Sequence, residues 1–183
     1  MPEVNEDASL LIATSWQALG RAEIGRGDTR LCDSTVVILF AGFFLEASLT
    51  ELIDKLGRMQ DMRDFLRVQH PGLQDKLGWF YNEYVARDKA PTRKQMYKRG
   101  ITRKLRRRFP GFSTIHKFRN DVAHGVINNS ARSLTRTRLL RQQAKEIVDS
   151  LFEISAKAGH DVLRETTYWQ AITIHAQQQS KDV

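Results

Sequence analysis

The chain has 183 residues and a formal net charge of +8, from 29 lysines and arginines against 21 aspartates and glutamates. Its hydrophobic fraction of 41% is enough for one folded core, which excludes a wholly disordered chain, and its single cysteine, Cys32, excludes an internal disulfide and predicts a reducing, cytoplasmic setting. We expect no signal peptide and no membrane span, because the N-terminus is acidic and the longest apolar run, Val36 to Leu45, has ten residues, about half of what a bilayer requires.

Apolar residues recur at helical spacing along almost the whole chain, which predicts a single all-α domain over residues 1–183. The predicted helices cover roughly residues 7–23, 34–56, 60–68, 73–87, parts of 93–109, 112–124, 134–158 and 161–175. Asp33 or Ser34 is expected to cap the second helix after a break at residues 25–30. That helix is apolar nearly all round in its first half, so we place it inside a compact helical bundle with a long antiparallel helix pair.

Between Arg93 and Arg108 the chain carries nine positive charges and no acid, which leaves a net charge of about −1 for the rest. Such a segment is either a solvated face, often a disordered one, or a surface for a polyanion. Apolar residues interleave with the charges and would anchor the segment on the bundle. The segment also leads directly into the helix predicted at 112–124. These two observations favour the polyanion-binding interpretation.

The helix predicted at 112–124 ends in the sequence Arg119-Asn120-Asp121-Val122-Ala123-His124, followed by Gly125. Arginine can bind a phosphate through two parallel hydrogen bonds, and histidine can accept or donate a proton near neutral pH. The alternative interpretation is structural. His124 would then lie at the negative end of the helix dipole, Gly125 would adopt a left-handed turn and Arg119 would form a partly buried ion pair.

Helical geometry places Arg119 at the edge of the core-facing stripe of this helix rather than opposite it. The residues of the stripe are Phe112, Ile115, Phe118 and Val122. Arg119 and His124 are five residues apart and diverge by about 140°. One helix therefore cannot easily aim both side chains at a single phosphate, whereas two copies related by a twofold axis can share a cleft.

The segment FSTIHKFRNDVAHG, which carries Arg119, Asn120 and His124, resembles the active-site helix of the HEPN superfamily of compact helical domains. The signature of that family is an arginine and a histidine a few residues apart near a helix end, often with a polar residue directly after the arginine. The apolar segment FAGFFLEASLTELIDKLG resembles an early helix of the family. The resemblance covers roughly residues 33–155, with 93–108 as a basic insert and 176–183 as a polar tail.

The resemblance implies a metal-independent endoribonuclease that works as a homodimer and needs no cofactor. The catalytic residues would be Arg119, Asn120 and His124, and RNA would be cut by attack of its own 2′-hydroxyl. The RNA-binding residues of the basic segment would be Arg99, Arg103, Lys104, Arg106, Arg107 and Arg108. Family members act as toxins or anti-phage defence proteins, so we expect an antitoxin or a defence-system partner. Val126 stands where certain toxins carry a modifiable tyrosine, and we do not expect that form of control.

The sequence is compatible with two roles for Glu46 and with two functions for the chain. Glu46, the one acid within the apolar stretch of the second helix, would either hold Arg119 in position or lie at the surface where that helix turns polar. The chain would be either the ribonuclease described above or a noncatalytic helical module that binds RNA or protein. A basic DNA-binding protein ranks lower because the sequence contains no convincing helix-turn-helix. The histidines show no metal-ligand spacing, so no metal site is expected.

Overall fold

The computed structural model describes residues 6–86, 92–98, 100–126 and 129–160. Within these ranges the chain is all-α and contains no strand, which confirms the predicted fold class. The α-helices are α1 (Glu6–Ile24), α2 (Gly27–Lys55), α3 (Met59–Leu66), α4 (Leu73–Phe80), α5 (Arg93–Lys98), α6 (Ile101–Arg108), α7 (Phe112–Ala123) and α8 (Leu134–Lys157). A π-helical turn, Tyr81–Ala86, continues α4, and a 3-10 turn, Asn129–Arg132, precedes α8. Arg99 and the helix predicted at 161–175 lie outside the described residues.

The break between α1 and α2 is shorter than the sequence predicts. The chain turns at residues 25–26 and α2 begins at Gly27, so neither Asp33 nor Ser34 caps a helix. The prediction was wrong because residues 27–32 are themselves helical, so Asp33 and Ser34 lie inside α2, where the backbone N–H groups that follow are already bonded within the helix. The side chain of Asp33 instead accepts from Nε of Arg21 at 3.0 Å. This ion pair ties the start of α2 back to the end of α1. The two helices therefore form the predicted long antiparallel pair.

Helix α2 lies at the centre of the bundle and contacts α1, α4, α7 and α8. Ile38 and Ala41, in its first half, share a buried cluster with Leu140 in the first half of α8. Further along both helices, Leu49 of α2 shares another cluster with Leu151 of α8. Helices α2 and α8 therefore run in the same direction, with α1 antiparallel to both.

Helix α2 is also long and apolar enough, by length and composition, to cross a membrane. Its most apolar 18-residue window has a mean hydropathy of 2.0, and 56% of that window is buried inside the bundle. The central helix of a soluble domain has these same properties, so a single helix of this kind does not establish where the protein resides.

The basic segment folds onto the bundle as the interleaved apolar residues predict. Of its five predicted anchors, four are buried and one, Tyr97, is half-buried. The buried anchors are Met96, Ile101, Leu105 and Phe109. Arg103, Lys104 and the three arginines 106–108 remain exposed on α6. The chain then turns sharply into α7 through Gly111, which has a φ of 82° and would place any Cβ atom against the side chain of Gln143. Glycine is required there both for the left-handed backbone and for space.

Candidate functional site

Helix α7 is held against the core by the predicted stripe. Phe112, Ile115 and Phe118 are almost fully buried and Val122 is half-buried. The close approach to α2 depends on Gly42, because a Cβ atom there would lie 3.3 Å from Cγ2 of Ile115. This packing brings Arg119, at the edge of the stripe, alongside the face of α2 that carries Glu46.

Arg119 lies at the edge of the stripe, as predicted, and contacts α2 through two different groups. Its Nη1 lies 2.6 Å from Oε2 of Glu46, and its guanidinium lies over the ring of Phe43 at 5.4 Å from the ring centroid. The Arg119 side chain is nevertheless 26% exposed. The carboxylate and the ring orient a guanidinium that solvent can still reach, since a planar cation can satisfy both contacts at once.

Glu46 holds a second cation that the sequence analysis did not identify. The Nζ of Lys76 lies 3.6 Å from Oε1 of Glu46 and donates to the hydroxyl of Thr50 at 2.8 Å. Glu46 therefore bridges Arg119 of α7 and Lys76 of α4. No local pattern in the sequence indicates this arrangement, because Lys76 is far from both partners along the chain and reaches them only through tertiary packing.

Residue His124 ends α7 in a Schellman motif. The N–H of Gly125 donates to the carbonyl of Val122 at 3.0 Å, the N–H of Val126 donates to the carbonyl of Asp121 at 2.8 Å, and Gly125 has a φ of 70°. The imidazole of His124 is exposed. His124 and Gly125 therefore end the helix, as the structural interpretation predicts. The side chain of His124 nevertheless remains accessible to solvent.

The three predicted catalytic residues do not converge within one chain. Arg119 is directed against α2, whereas Asn120 and His124 are exposed along another side of α7. This agrees with the divergence of about 140° expected from their spacing. Within one chain, Arg119 and His124 are therefore presented on different sides of α7.

His116 lies one turn before Asn120 on α7 and is half-buried. Its ring packs nearly parallel to that of Phe112, with the centroids 5.8 Å apart and an interplanar angle of 23°. Burial lowers the pKa of His116, and the positive charge of Arg119 lowers it further, while Glu46 and Asp75 partly offset both effects. His116 is therefore an uncharged aromatic ring at neutral pH.

A groove of about 420 Å³ opens beside the first half of α7, between α4, α6, α7 and the 3-10 turn. Its neutral polar lining consists of Gln74, Thr102, Ser113, Thr114 and Ser130. The remaining lining residues are Phe112, His116, Lys117 and Arg106. The groove includes none of the three motif residues but joins the basic helix α6 to the helix that carries them. The sequence analysis did not predict it, because four separate elements build it.

Within the described part of the chain, no three histidine, cysteine, aspartate or glutamate side chains cluster as metal ligands. Comparison with protein-family models finds no match to this chain. Comparisons with curated proteins and with solved structures likewise find no match. The resemblance of the motif helix to the HEPN superfamily therefore stays a prediction.

Proposed function

We propose that this protein is a metal-independent endoribonuclease whose site combines Arg119, Asn120 and His124 from two copies of the chain. One observation carries the proposal. Arg119 is oriented by Glu46 at 2.6 Å yet remains 26% exposed, on the same helix whose accessible end presents His124. If the pair between Arg119 and Glu46 served only to stabilise the fold, an exposed imidazole at His124 on the same helix would not be needed.

RNA supplies its own nucleophile, so the protein needs to move protons and stabilise charge. His124 accepts the proton of the 2′-hydroxyl, whose oxygen attacks the adjacent phosphorus. The bond from phosphorus to the 5′-oxygen breaks, and that oxygen takes up a proton from a protonated imidazole, which the His124 of the second copy provides. Arg119 stabilises the negative charge that builds on the phosphoryl oxygens, and Asn120 orients the phosphate. The products are a 2′,3′-cyclic phosphate and a 5′-hydroxyl.

A half-buried apolar stripe on α2 supports the pairing of two copies. Leu39, Phe40 and Phe43 lie on the side of α2 that faces away from its buried residues, and the rings of Phe40 and Phe43 meet edge to face at 5.9 Å. The same side carries Glu46, and Phe43 contacts Arg119. A twofold contact through this stripe would bury apolar surface and place two copies of Arg119 at the edge of the interface.

The exposed basic face of α6 supports RNA as the substrate. Because α6 is anchored by the buried side chains of Ile101 and Leu105, its five exposed cations, at positions 103, 104 and 106–108, are held on the helix that precedes α7. Lysine and arginine on such a surface bind phosphates without regard to the nucleotide sequence, and the affinity falls as the salt concentration rises.

Following the resemblance, we place the enzyme in the cytoplasm as a toxin or an anti-phage defence protein. An antitoxin or a defence-system protein would control it.

The test is cleavage of structured and single-stranded RNA by wild type, Arg119→Ala and His124→Ala proteins in the presence of EDTA. We expect the wild type to cut, both variants to lose at least about a hundredfold in rate, and the products to carry cyclic phosphate ends. Lys157→Ala, which removes an exposed cation from the last turn of α8, is the control for a general loss of charge. Products with a 3′-hydroxyl, or activity abolished by EDTA, would contradict the proposal.

A noncatalytic module that binds RNA is the second candidate. The observation that favours it is the structural role of each motif residue: Arg119 is ion-paired, and His124 with Gly125 ends a helix. Binding of RNA by the wild type without any cleavage would select this candidate.

A further inference from the structure

The groove beside α7 has the chemistry of a site for a phosphorylated ring compound. Its lining contains no carboxylate, two basic side chains and five neutral hydrogen-bonding side chains. Its volume of about 420 Å³ lies within the range of about 300–1,000 Å³ typical of sites for small ligands. A single nucleotide has all the groups that such a lining recognises.

The cations of the groove are placed to bind a phosphate. The Nε of Arg106 donates to the hydroxyl of Ser113 at 3.0 Å, which positions the guanidinium while using one of its five N–H donors. Lys117 pairs with Asp121 on its own helix at 2.8 Å, but its side chain is 72% exposed. An exposed pair of this kind contributes little stability, so Lys117 can turn to a phosphate at small cost.

The aromatic part of the lining is placed to stack on a base. His116 packs on the fully buried ring of Phe112, which holds the imidazole in a fixed orientation at the groove. Burial and the nearby Arg119 lower the pKa of His116, so the ring is neutral at physiological pH. A neutral aromatic side chain is a common stacking partner for an unpaired base.

We propose that the groove holds one unpaired nucleotide of an RNA strand, with its base on His116 and its phosphate between Arg106 and Lys117. This inference rests on the proposed function only in taking RNA as the ligand. Arg106 belongs also to the basic face of α6, and His124 lies about 16 Å from Ser113 along the axis of α7. A strand anchored in the groove can therefore reach the motif within a few nucleotides, and the groove would select single-stranded RNA for cleavage.

The test measures binding of a short fluorescent single-stranded RNA, and of a duplex of the same length, to proteins that carry His124→Ala to prevent cleavage. Ser113→Glu places a carboxylate in the groove and in the first turn of α7, where a negative charge favours the helix. We expect it to keep the melting temperature and to weaken single-strand binding about tenfold or more. Gln17→Glu on α1, an exposed position away from the groove, is the control for added charge, with an expected change of less than about twofold.

A second pair of variants tests the base. His116→Ala should weaken single-strand binding about 5- to 100-fold, while His116→Phe, which keeps a flat ring, should restore most of it. Duplex binding should be the same in both. Loss of duplex and single-strand binding to equal extents, unchanged binding in both Ser113→Glu and His116→Ala, or no RNA binding by the parent protein would each overturn the inference.

The outcomes separate this inference from the proposed function. Cleavage by the wild type together with normal binding by the groove variants would leave the nuclease proposal in place and reject the groove. Selective loss of single-strand binding in those variants, with no cleavage by the wild type, would reject the nuclease and retain the groove.

Discussion

Glu46 is the residue on which the arrangement of the motif depends most. Its two carboxylate oxygens face two cations, Arg119 at 2.6 Å and Lys76 at 3.6 Å, and its side chain is only 20% exposed. In this partly desolvated setting the ion pairs orient their partners more firmly than surface pairs do. Without the carboxylate, two like charges would face the same position on α2.

We therefore expect Glu46→Gln to lower the free energy of unfolding by about 1 kcal/mol, at the upper end of values for partly exposed pairs. The rate of RNA cleavage should fall about tenfold with little change in RNA affinity, because Arg119 is no longer oriented. Denaturant unfolding and single-turnover cleavage measure the two effects.

The matched control is Glu51→Gln on the same helix. The Glu51 side chain is 21% exposed, about as much as that of Glu46, but within the described residues it pairs only with Lys55, itself 40% exposed. It should cost less than about 0.5 kcal/mol and leave cleavage unchanged. Equal losses of stability and rate in the two variants would show that Glu46 has no special role.

The contact between α2 and α7 is the element-scale feature that positions the site. A glycine, Gly42, lies where the two helices approach most closely, and Ile115 and Arg119 of α7 lie directly opposite it. Glycine within a helix costs about 1 kcal/mol relative to alanine, so its presence in the middle of α2 is explained by the space it leaves for α7. Arg119 reaches Glu46 because the helices are this close.

Gly42→Leu should push the two helices apart, lower the free energy of unfolding by about 1–3 kcal/mol and displace Arg119 from Glu46. Gly20→Leu in α1 is the matched control, since no heavy atom lies within 4 Å of a Cβ atom built there. That control should be neutral or stabilising by up to about 1 kcal/mol, because leucine favours helix. Denaturant unfolding distinguishes the two, and a stable Gly42→Leu protein would contradict the close-packing explanation.

At the scale of the whole molecule, the central helix α2 has two different sides. One side packs against α1, α7 and α8, and the other carries the half-buried stripe of Leu39, Phe40 and Phe43 beside the motif. We expect a twofold assembly through this side of α2 for two reasons. Arg119 and His124 diverge within one chain, and the apolar stripe lies next to Arg119.

Phe40→Glu places a charge in the stripe without touching Arg119, so we expect it to convert the proposed dimer into a folded monomer that has lost at least about tenfold in cleavage rate. Sedimentation and circular dichroism measure the assembly state and the fold. Leu139→Glu, at a position 45% exposed on α8, is the control and should leave the assembly unchanged. A monomer that cleaves RNA at the wild-type rate would refute the shared site.

Features that depend on spacing along one segment can be predicted from the sequence of that segment. These are the all-α class, most helix boundaries, the buried stripe of α7, the anchoring of the basic segment and the position of Arg119 at the edge of the stripe. Each follows from a periodicity of 3.6 residues or from a local cap, since both are properties of neighbouring residues.

The tertiary structure alone decided the features that join distant segments. It paired Asp33 of α2 with Arg21 of α1, and it brought Lys76 of α4 to Glu46. It also set α2 and α8 in the same direction and assembled the groove from four elements. Such contacts depend on how helices pack, and the period of one helix carries no information about which partner its polar edge will meet.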